Sequence, residues 1–446
     1  MTGRSPLREI APASRPLVGT AAVPGDKSIS HRALIFAGLG AGRARVRGLL
    51  DSADVRSSLA CMRALGLRVE VEEGAATGQG SLLIEGRAGL LEEPVSVLDC
   101  GNSGTTLRLL CGLLAGQPLH AVLTGDASLC RRPMGRLTGP LSALGARFDG
   151  RADGSRAPLS VRGRRPLAGG RHDAPVASAQ VKTALLLAGL QAAEPLVLTE
   201  PAASRDHGER LLRAMGAHLE ADQDEQGRAR LRLVPGAELH LVDIDVPGDL
   251  SSAAFLLVAA ALVPGSQLLL PDVGINPSRT GILEVLARMG ATVEVQDPVQ
   301  VGGEPRARLV ARAAPLVGAD VGGALIPRLI DEIPVLAVAA AFARGTTTFR
   351  DAAELRVKES DRISATVALL RALGARAEPL PDGLVVEGSG GAPLPGGEVD
   401  AQGDHRIAMA AAVAGLRTTG RVRIRGSEAV DVSFPGFFAT LEALRA

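Results

Sequence analysis

The feature that most restricts this 446-residue chain is an internal repeat. VPGDKSISHRALIFAGLGAG (Val23–Gly42) returns as VPGDLSSAAFLLVAAALVPG (Val246–Gly265), half a chain length later. Two fused halves follow from that offset. A shorter period lies inside each half. Segments ending in x-x-[LM]-G-[AL] place glycines at Gly66, Gly145, Gly216, Gly290 and Gly374, and Leu441–Leu444 stands where a sixth copy would stop. Each predicts a helix whose C′ glycine turns the chain into a strand.

A second helix type recurs in step. Ala/Leu-rich segments begin near Ser28, Ser103, Ser178, Ser251, Glu332 and His405. They are apolar on nearly every face, which predicts buried helices. Serines near several starts, with Asp331 and Asp404 before the last two, suit the caps of such helices. The pattern predicts an α/β protein of two similar domains, each with three βα-type units whose buried helices are wrapped by sheets. Residues 24–245 form the inserted domain and 1–23 plus 246–446 the second, with the VPGD turns as crossings.

Composition narrows the function. With 46% hydrophobic and 22% charged residues the chain is globular. A formal net charge of +1 leaves no basic field for nucleic acid or an anionic membrane. Trp and Tyr are absent and Phe numbers 8, so platforms for stacking bases are scarce. The longest apolar runs, Ala253–Val263 and Pro334–Ala343, are too short to span a bilayer. The amino-terminal stretch has no apolar core of a secretory signal. Cys61, Cys100, Cys111 and Cys130 lack CxxC spacing and read as reduced thiols of a cytoplasmic protein. No metal-ligand cluster appears among the histidines and cysteines, so no bound metal is expected. No heptad seam or sizeable charge run argues for an oligomer.

Chemistry-bearing residues gather at the starts of the apolar helices: Lys27, Ser28 and Arg32; Gly101–Thr105 with Arg108; Ser178, Ala179, Gln180 and Lys182; Asp249; Asp331; and Asp404 to Arg406. A helix start offers free N–H groups and a partial positive charge, so it attracts anions. Inward-facing starts in two domains would make a cleft for a multiply anionic ligand. GDKS is not a Walker A loop, because Asp26 separates Gly25 from Lys27. In Arg356–Arg362, Lys358 and Arg362 are four apart and are expected on one helical face, with Glu359 beside them.

Six motifs in order, VPGDKSISHRAL, LDCGNSGTTLRLL, LTGDASLCRRPMGRL, SAQVKTALL, RVKESDRI and GDHRIAMA, resemble the 5-enolpyruvylshikimate-3-phosphate synthase (3-phosphoshikimate 1-carboxyvinyltransferase) family from about Arg15 to Leu444. SAQVK and RDHGE resemble its divergent bacterial class, some members of which tolerate glyphosate. The resemblance implies two domains, each of three βαβαββ repeats, in the inverse α/β prism of enolpyruvyltransferases. It implies transfer of the enolpyruvyl group of phosphoenolpyruvate to the 5-hydroxyl of shikimate 3-phosphate by addition–elimination, releasing phosphate without a cofactor, on the route to chorismate and aromatic amino acids. Lys27 matches a lysine touching both substrates. Ser28, Arg32, Ser178, Ala179 and Lys358 match the shikimate 3-phosphate site. Gly104, Arg132, Arg362 and Arg406 match the phosphoenolpyruvate pocket, with Gln180 between the two. Asp331 resembles the group that takes the 5-hydroxyl proton and Glu359 the one that protonates the methylene.

Departures are visible. Val432 stands before Ser433-Phe-Pro435 where some members carry a lysine. Arg205 replaces a tyrosine on shikimate 3-phosphate and Glu354 an asparagine. The pocket glycine is kept as Gly104, where an alanine would crowd glyphosate. The sister transferase acting on UDP-N-acetylglucosamine uses a cysteine in a C-x4-R-P loop, whereas Cys130 lies two residues before Arg132. A non-catalytic binding paralogue is expected to have lost Lys27, Asp331 or Glu359, and all three are present.

Overall fold

The computed structural model describes residues 7–72 and 80–445; the first six residues of the amino-terminal stretch read above lie outside them. The chain divides into two compact units. One, the inserted unit, comprises Gly25–Val246 with Gln300–Glu304; the other, the outer unit, comprises the residues up to Pro24, Pro247–Val299 and those from Pro305 on. Each has its own apolar core.

The architecture repeats one sheet plan. In the inserted unit Gly170–Asp173 pairs in parallel with Leu196–Glu200, which pairs antiparallel with Ala229–Val234, itself antiparallel to His218–Gln223. Spatial order is therefore first, second, fourth, third strand, with a buried helix between the first two and an amphipathic helix between the second and third. The same order runs through Leu98–Asp99, His120–Thr124, Arg156–Arg162 and Arg147–Gly150. In the outer unit it runs through Asp320–Val321, Thr346–Phe349, Gly383–Glu387 and Arg376–Leu380.

Two sheets borrow their first strand. Ile244–Asp245, from the far end of the inserted unit, lies parallel to Arg43–Arg47. Val18–Thr20 lies parallel to Gln267–Gly274 in the outer unit. The duplicated VPGD turns follow these two borrowed strands. The sixth sheet has three strands, Arg8–Ile10, Val422–Arg425 and Gly397–Asp400; the helix Phe437–Ala443 falls where the repeat puts its amphipathic helix, and Arg8–Ile10 takes the place of the fourth strand.

Six buried helices occupy the predicted places: α1 (Lys27–Phe36), α2 (Gly104–Ala115), α3 (Ala179–Gly189), α4 (Leu250–Leu262), α5 (Ile333–Phe342) and α6 (His405–Gly415). Every residue of α4 and of α5 is buried. The two longest apolar runs are therefore core helices. The five C′ glycines have φ between 89° and 111°, a region that only glycine enters without strain. At Gly112 a Cβ would meet the Ala184 carbonyl oxygen at 2.2 Å, so α2 and α3 pack backbone to backbone. That close approach sets their amino-terminal ends side by side.

The caps differ in detail from the sequence reading. Asp26, not Ser28, caps α1 by accepting from the Ile29 amide at 3.0 Å, and Asp249, not Ser251, caps α4. Both fall in the VPGD turns, where a carboxylate reaches an amide two or three residues ahead. Asp331 lies in a 3₁₀ turn, Ile330–Glu332, and does not cap α5.

Candidate active site

In the inserted unit, α1 opens with Lys27, whose Nζ stands 2.5 Å from Asp54 Oδ2 in the first turn of the helix Ala53–Ala64. Ser28 is half-buried, and its carbonyl accepts from Arg32 Nη1 at 3.0 Å. Arg32 Nη2 donates to Thr183 Oγ1 at 2.8 Å, tying α1 to α3. Burial lowers the Arg32 guanidinium to about 10, with Glu209 and Asp26 partly opposing that shift. It stays charged at neutral pH.

At the start of α2, Gly104 is the reason two guanidiniums can converge. A Cβ there would lie 2.6 Å from Arg108 Nη1 and 3.0 Å from Arg132 Nη1. Arg132 is oriented by Asn102 Oδ1 at 2.7 Å, and Asn102 in turn donates to Asp126 at 2.6 Å. Arg108 Nη1 donates to Gln180 Oε1 at 2.7 Å, and Gln180 Nε2 donates to Thr105 Oγ1 at 2.9 Å. Gln180 thus bridges α2 and α3. Ser178 caps α3, and its own amide donates to Glu200 Oε1 at 2.8 Å. Ala179 follows as the first helical residue. Arg205 is half-buried just before the helix His207–Ala214, and its charge acts on Arg32.

A buried chain of hydroxyls joins α1 to the α2 start. Thr106 Oγ1 donates to the capping Ser103 Oγ, Ser58 Oγ lies 2.7 Å from Thr106 Oγ1, and His31 Nδ1 lies 2.8 Å from Ser58 Oγ. With the Thr106 proton given to Ser103, Ser58 must donate to Thr106 and accept from His31. The imidazole is therefore the Nδ1–H tautomer. Burial, then Lys27 and Arg32, push its pKa well below the ordinary value, so it stays neutral.

In the outer unit the polar side chains form one connected network across three helix starts. Arg279 Nη2 donates to Asp249 Oδ1 at 3.1 Å and to Ser251 Oγ at 2.5 Å, and Ser251 donates to Glu332. Arg406 Nη1 stands 3.7 Å from Glu332 Oε1 and donates to the Asp331 carbonyl at 2.9 Å. Arg362 Nη1 donates to Asp331 Oδ1 at 3.1 Å, its Nε to Asp404 Oδ2 at 2.8 Å, and its Nη2 stands 2.6 Å from Glu359 Oε2. Lys358 Nζ adds a contact at 3.4 Å to the same Asp331 oxygen. Although burial opposes its charge, Asp404, Glu359 and Asp331 together raise the Arg362 pKa above its ordinary value. Its positive charge is permanent.

The structure corrects one local expectation. The helix carrying Arg362 begins at Arg362 itself, with Asp361 as its cap, so Lys358 and Arg362 do not share a helical face. Asp361 accepts from the Ser364 amide and thereby ends the preceding segment as a bend. The two cations still converge, on Asp331. Glu354 lies in the 3₁₀ turn Ala353–Val357, and Val432 closes the one at Ser427–Val432. Asp54, Glu200 and Arg279 were not singled out from sequence, and Glu332 only as a helix start. Each acts through a partner distant along the chain, and only their place in the repeat could have drawn attention to them. Among the described residues, no group of three His, Cys, Asp or Glu stands together to hold a metal, and no helix is long and apolar enough to cross a membrane.

Five sheets of one plan and a shortened sixth around buried helices, with arginines and lysines at the helix starts, define an α/β enzyme of the enolpyruvyltransferase fold. The enolpyruvyl transferase NikO from Streptomyces tendae shares that fold, with a TM-score of 0.77 at 20% identity over 99% of this chain and 98% of that one. The family described as EPSP synthase (3-phosphoshikimate 1-carboxyvinyltransferase) matches residues 12–441, and the chain belongs to it. A 3-phosphoshikimate 1-carboxyvinyltransferase from Desulforudis audaxviator (strain MP104C) is 52% identical over 98% of this chain and 99% of its own length. One from Synechococcus sp. (strain RCC307) is 52% identical over 96% and 97%. The EPSP synthase structure from Acinetobacter baumannii superposes with a TM-score of 0.84 at 41% identity, covering 98% of this chain and 97% of that one. The enzyme transfers an enolpyruvyl group from phosphoenolpyruvate to shikimate 3-phosphate, a step of the shikimate pathway.

Proposed function

We propose that the two clusters serve one pair of substrates, with the acceptor hydroxyl at C5. Lys27 touches both substrates. Ser28, Arg32, Ser178, the Ala179 backbone, Arg205 and Lys358 hold shikimate 3-phosphate. The Gly104 backbone, Arg132, Arg362 and Arg406 hold phosphoenolpyruvate, and Gln180 lies between the two. Each substrate brings a phosphate and a carboxylate, and arginine suits the bidentate grip on both groups.

Asp331 takes the 5-hydroxyl proton as that oxygen bonds to C2 of phosphoenolpyruvate, and Glu359 gives a proton to the C3 methylene, which becomes a methyl. The resulting tetrahedral adduct then returns one methyl proton to Glu359 and loses phosphate, which carries off the proton held by Asp331, and the enol double bond re-forms. Proton transfers of this kind typically contribute ~10²–10⁴-fold. Exclusion of water protects the adduct from hydrolysis. The enzyme works as a monomer in the cytoplasm.

The observation that carries this reading is the convergence of Arg362, Lys358 and Arg406 on one residue, Asp331, beside Glu359. It supplies an acceptor and a donor of protons amid the charges that anionic substrates need. Phosphate release by the purified enzyme should require both substrates. Release with UDP-N-acetylglucosamine in place of shikimate 3-phosphate would overturn the reading.

A further inference from the structure

One buried cation in the inserted unit has no role in the chemistry just described. Lys182 lies in the first turn of α3, four residues after Ser178, and its side chain is only 4% exposed. Its Nζ stands 2.7 Å from Glu209 Oε1 and 3.1 Å from Glu200 Oε2, and donates to the Ser204 carbonyl at 3.2 Å. Those partners come from three separate places: the end of the strand Leu196–Glu200, the loop after it, and the first turn of the helix His207–Ala214.

Glu200 is the hub through which the cation reaches further. Its carboxylate accepts from the Ser178 amide at 2.8 Å and from Ser204 Oγ at 2.8 and 3.0 Å. One ammonium thus fixes the cap of α3 and both sides of the loop that carries Arg205. The next turn adds Gly208, where a Cβ would meet Thr183 Oγ1 at 2.8 Å and Arg32 Nε at 3.4 Å. The start of the helix that follows the loop therefore packs directly on the arginine that ties α1 to α3.

We infer that Lys182 is a positioning residue for shikimate 3-phosphate, acting through Ser178 and Arg205 without touching the substrate. The inference rests on the proposed site, in which Ser178 and Arg205 hold that ligand. A buried ammonium between two carboxylates suits the task. Its charge is held by Glu209 and Glu200 against the cost of burial, and its pKa lies above the ordinary lysine value. Removing it leaves two buried carboxylates facing each other, which the loop relieves by moving outward. Arg205 moves with it.

Steady-state kinetics of the whole enzyme test this with Lys182→Met, Lys182→Arg, Arg205→Ala and the double variant Lys182→Met/Arg205→Ala. Lys182→Met should raise KM for shikimate 3-phosphate about 10-fold or more, with kcat within about threefold and KM for phosphoenolpyruvate unchanged. Lys182→Arg should recover most of the loss. The double variant should be little worse than Arg205→Ala, because both changes act through one contact. An unchanged KM for shikimate 3-phosphate, a fully additive double variant, or equal losses in both KM values overturns the inference. If Lys182→Met does not fold, Glu209→Gln removes one partner and should show the same selective rise; no rise overturns it. If Arg205→Ala leaves shikimate 3-phosphate binding intact, the underlying assignment of Arg205 fails and takes this inference with it.

Discussion

Lys27 Nζ and Asp54 Oδ2 stand 2.5 Å apart, joining the first residue of α1 to the first turn of the helix after the next strand. Asp54 is buried while Lys27 keeps part of its surface open, so the carboxylate anchors the ammonium and leaves other faces free for ligand. Asp54→Asn should lower kcat/KM for both substrates about 10- to 100-fold, or about 1.4–2.7 kcal/mol. Kinetics against each substrate, with a melting curve to verify folding, check this. Wild-type values in Asp54→Asn would remove the carboxylate from the site.

Gly104→Ala tests the convergence at the α2 start. The added methyl would stand 2.6 Å from Arg108 Nη1, so that guanidinium must swing away, and 3.0 Å from Arg132 Nη1, which must give by a few tenths of an ångström. KM for phosphoenolpyruvate should rise about 10-fold while that for shikimate 3-phosphate moves less than about twofold. Equal changes for the two substrates would place Gly104 elsewhere in function.

Asp331→Ala should lower kcat by ~10²–10⁴-fold, the range of a lost proton acceptor. Shikimate 3-phosphate should still bind, measured by calorimetric titration, because Arg32 and Ser178 belong to the other unit. Near-normal turnover would take Asp331 out of the mechanism.

Much of the architecture was legible because the repeat writes itself in residue types that obey local rules. The five C′ glycines signal left-handed backbone, and α4 and α5 announce burial by carrying no polar face. Caps were read less well, since Asp26 and Ser28 are both good caps and only geometry chooses between them. The partners of the site residues were not readable at all. Arg279 reaches Asp249 and Ser251 from about thirty residues away, and Glu200 reaches Lys182 across a strand and a loop. Such pairings depend on the three-dimensional course of the chain, which periodicity does not encode.

His31 gives the enzyme a defined response to mild acid. Its folded pKa lies well below 6.5, so as pH falls under that value the unfolded chain takes up a proton that the folded one refuses. Stability therefore drops, by about 1.4 kcal/mol per pH unit for this residue, down to its folded pKa. His31→Asn cannot titrate, and its side-chain amide can still donate to Ser58. Urea unfolding at pH 7.5, 6.5 and 5.5 should show the wild type losing stability faster than the variant below pH 6.5. Parallel slopes would contradict the neutral, Nδ1-protonated state.

The borrowed strands have a consequence for how the polypeptide is made. Val18–Thr20 leaves the ribosome before Gly25–Val246, yet its neighbour Gln267–Gly274 is synthesised only after that stretch; the Leu17–Ser266 bond beside it spans 249 positions. Arg8–Ile10 waits longer still, for Val422–Arg425. The inserted unit, by contrast, is complete once Ile244–Asp245 has left the exit tunnel, save for the short Gln300–Glu304 piece. Assembly should thus proceed from the middle outward, with Val18–Thr20 unpaired until Gln267–Gly274 is made and Arg8–Ile10 until Val422–Arg425 is made.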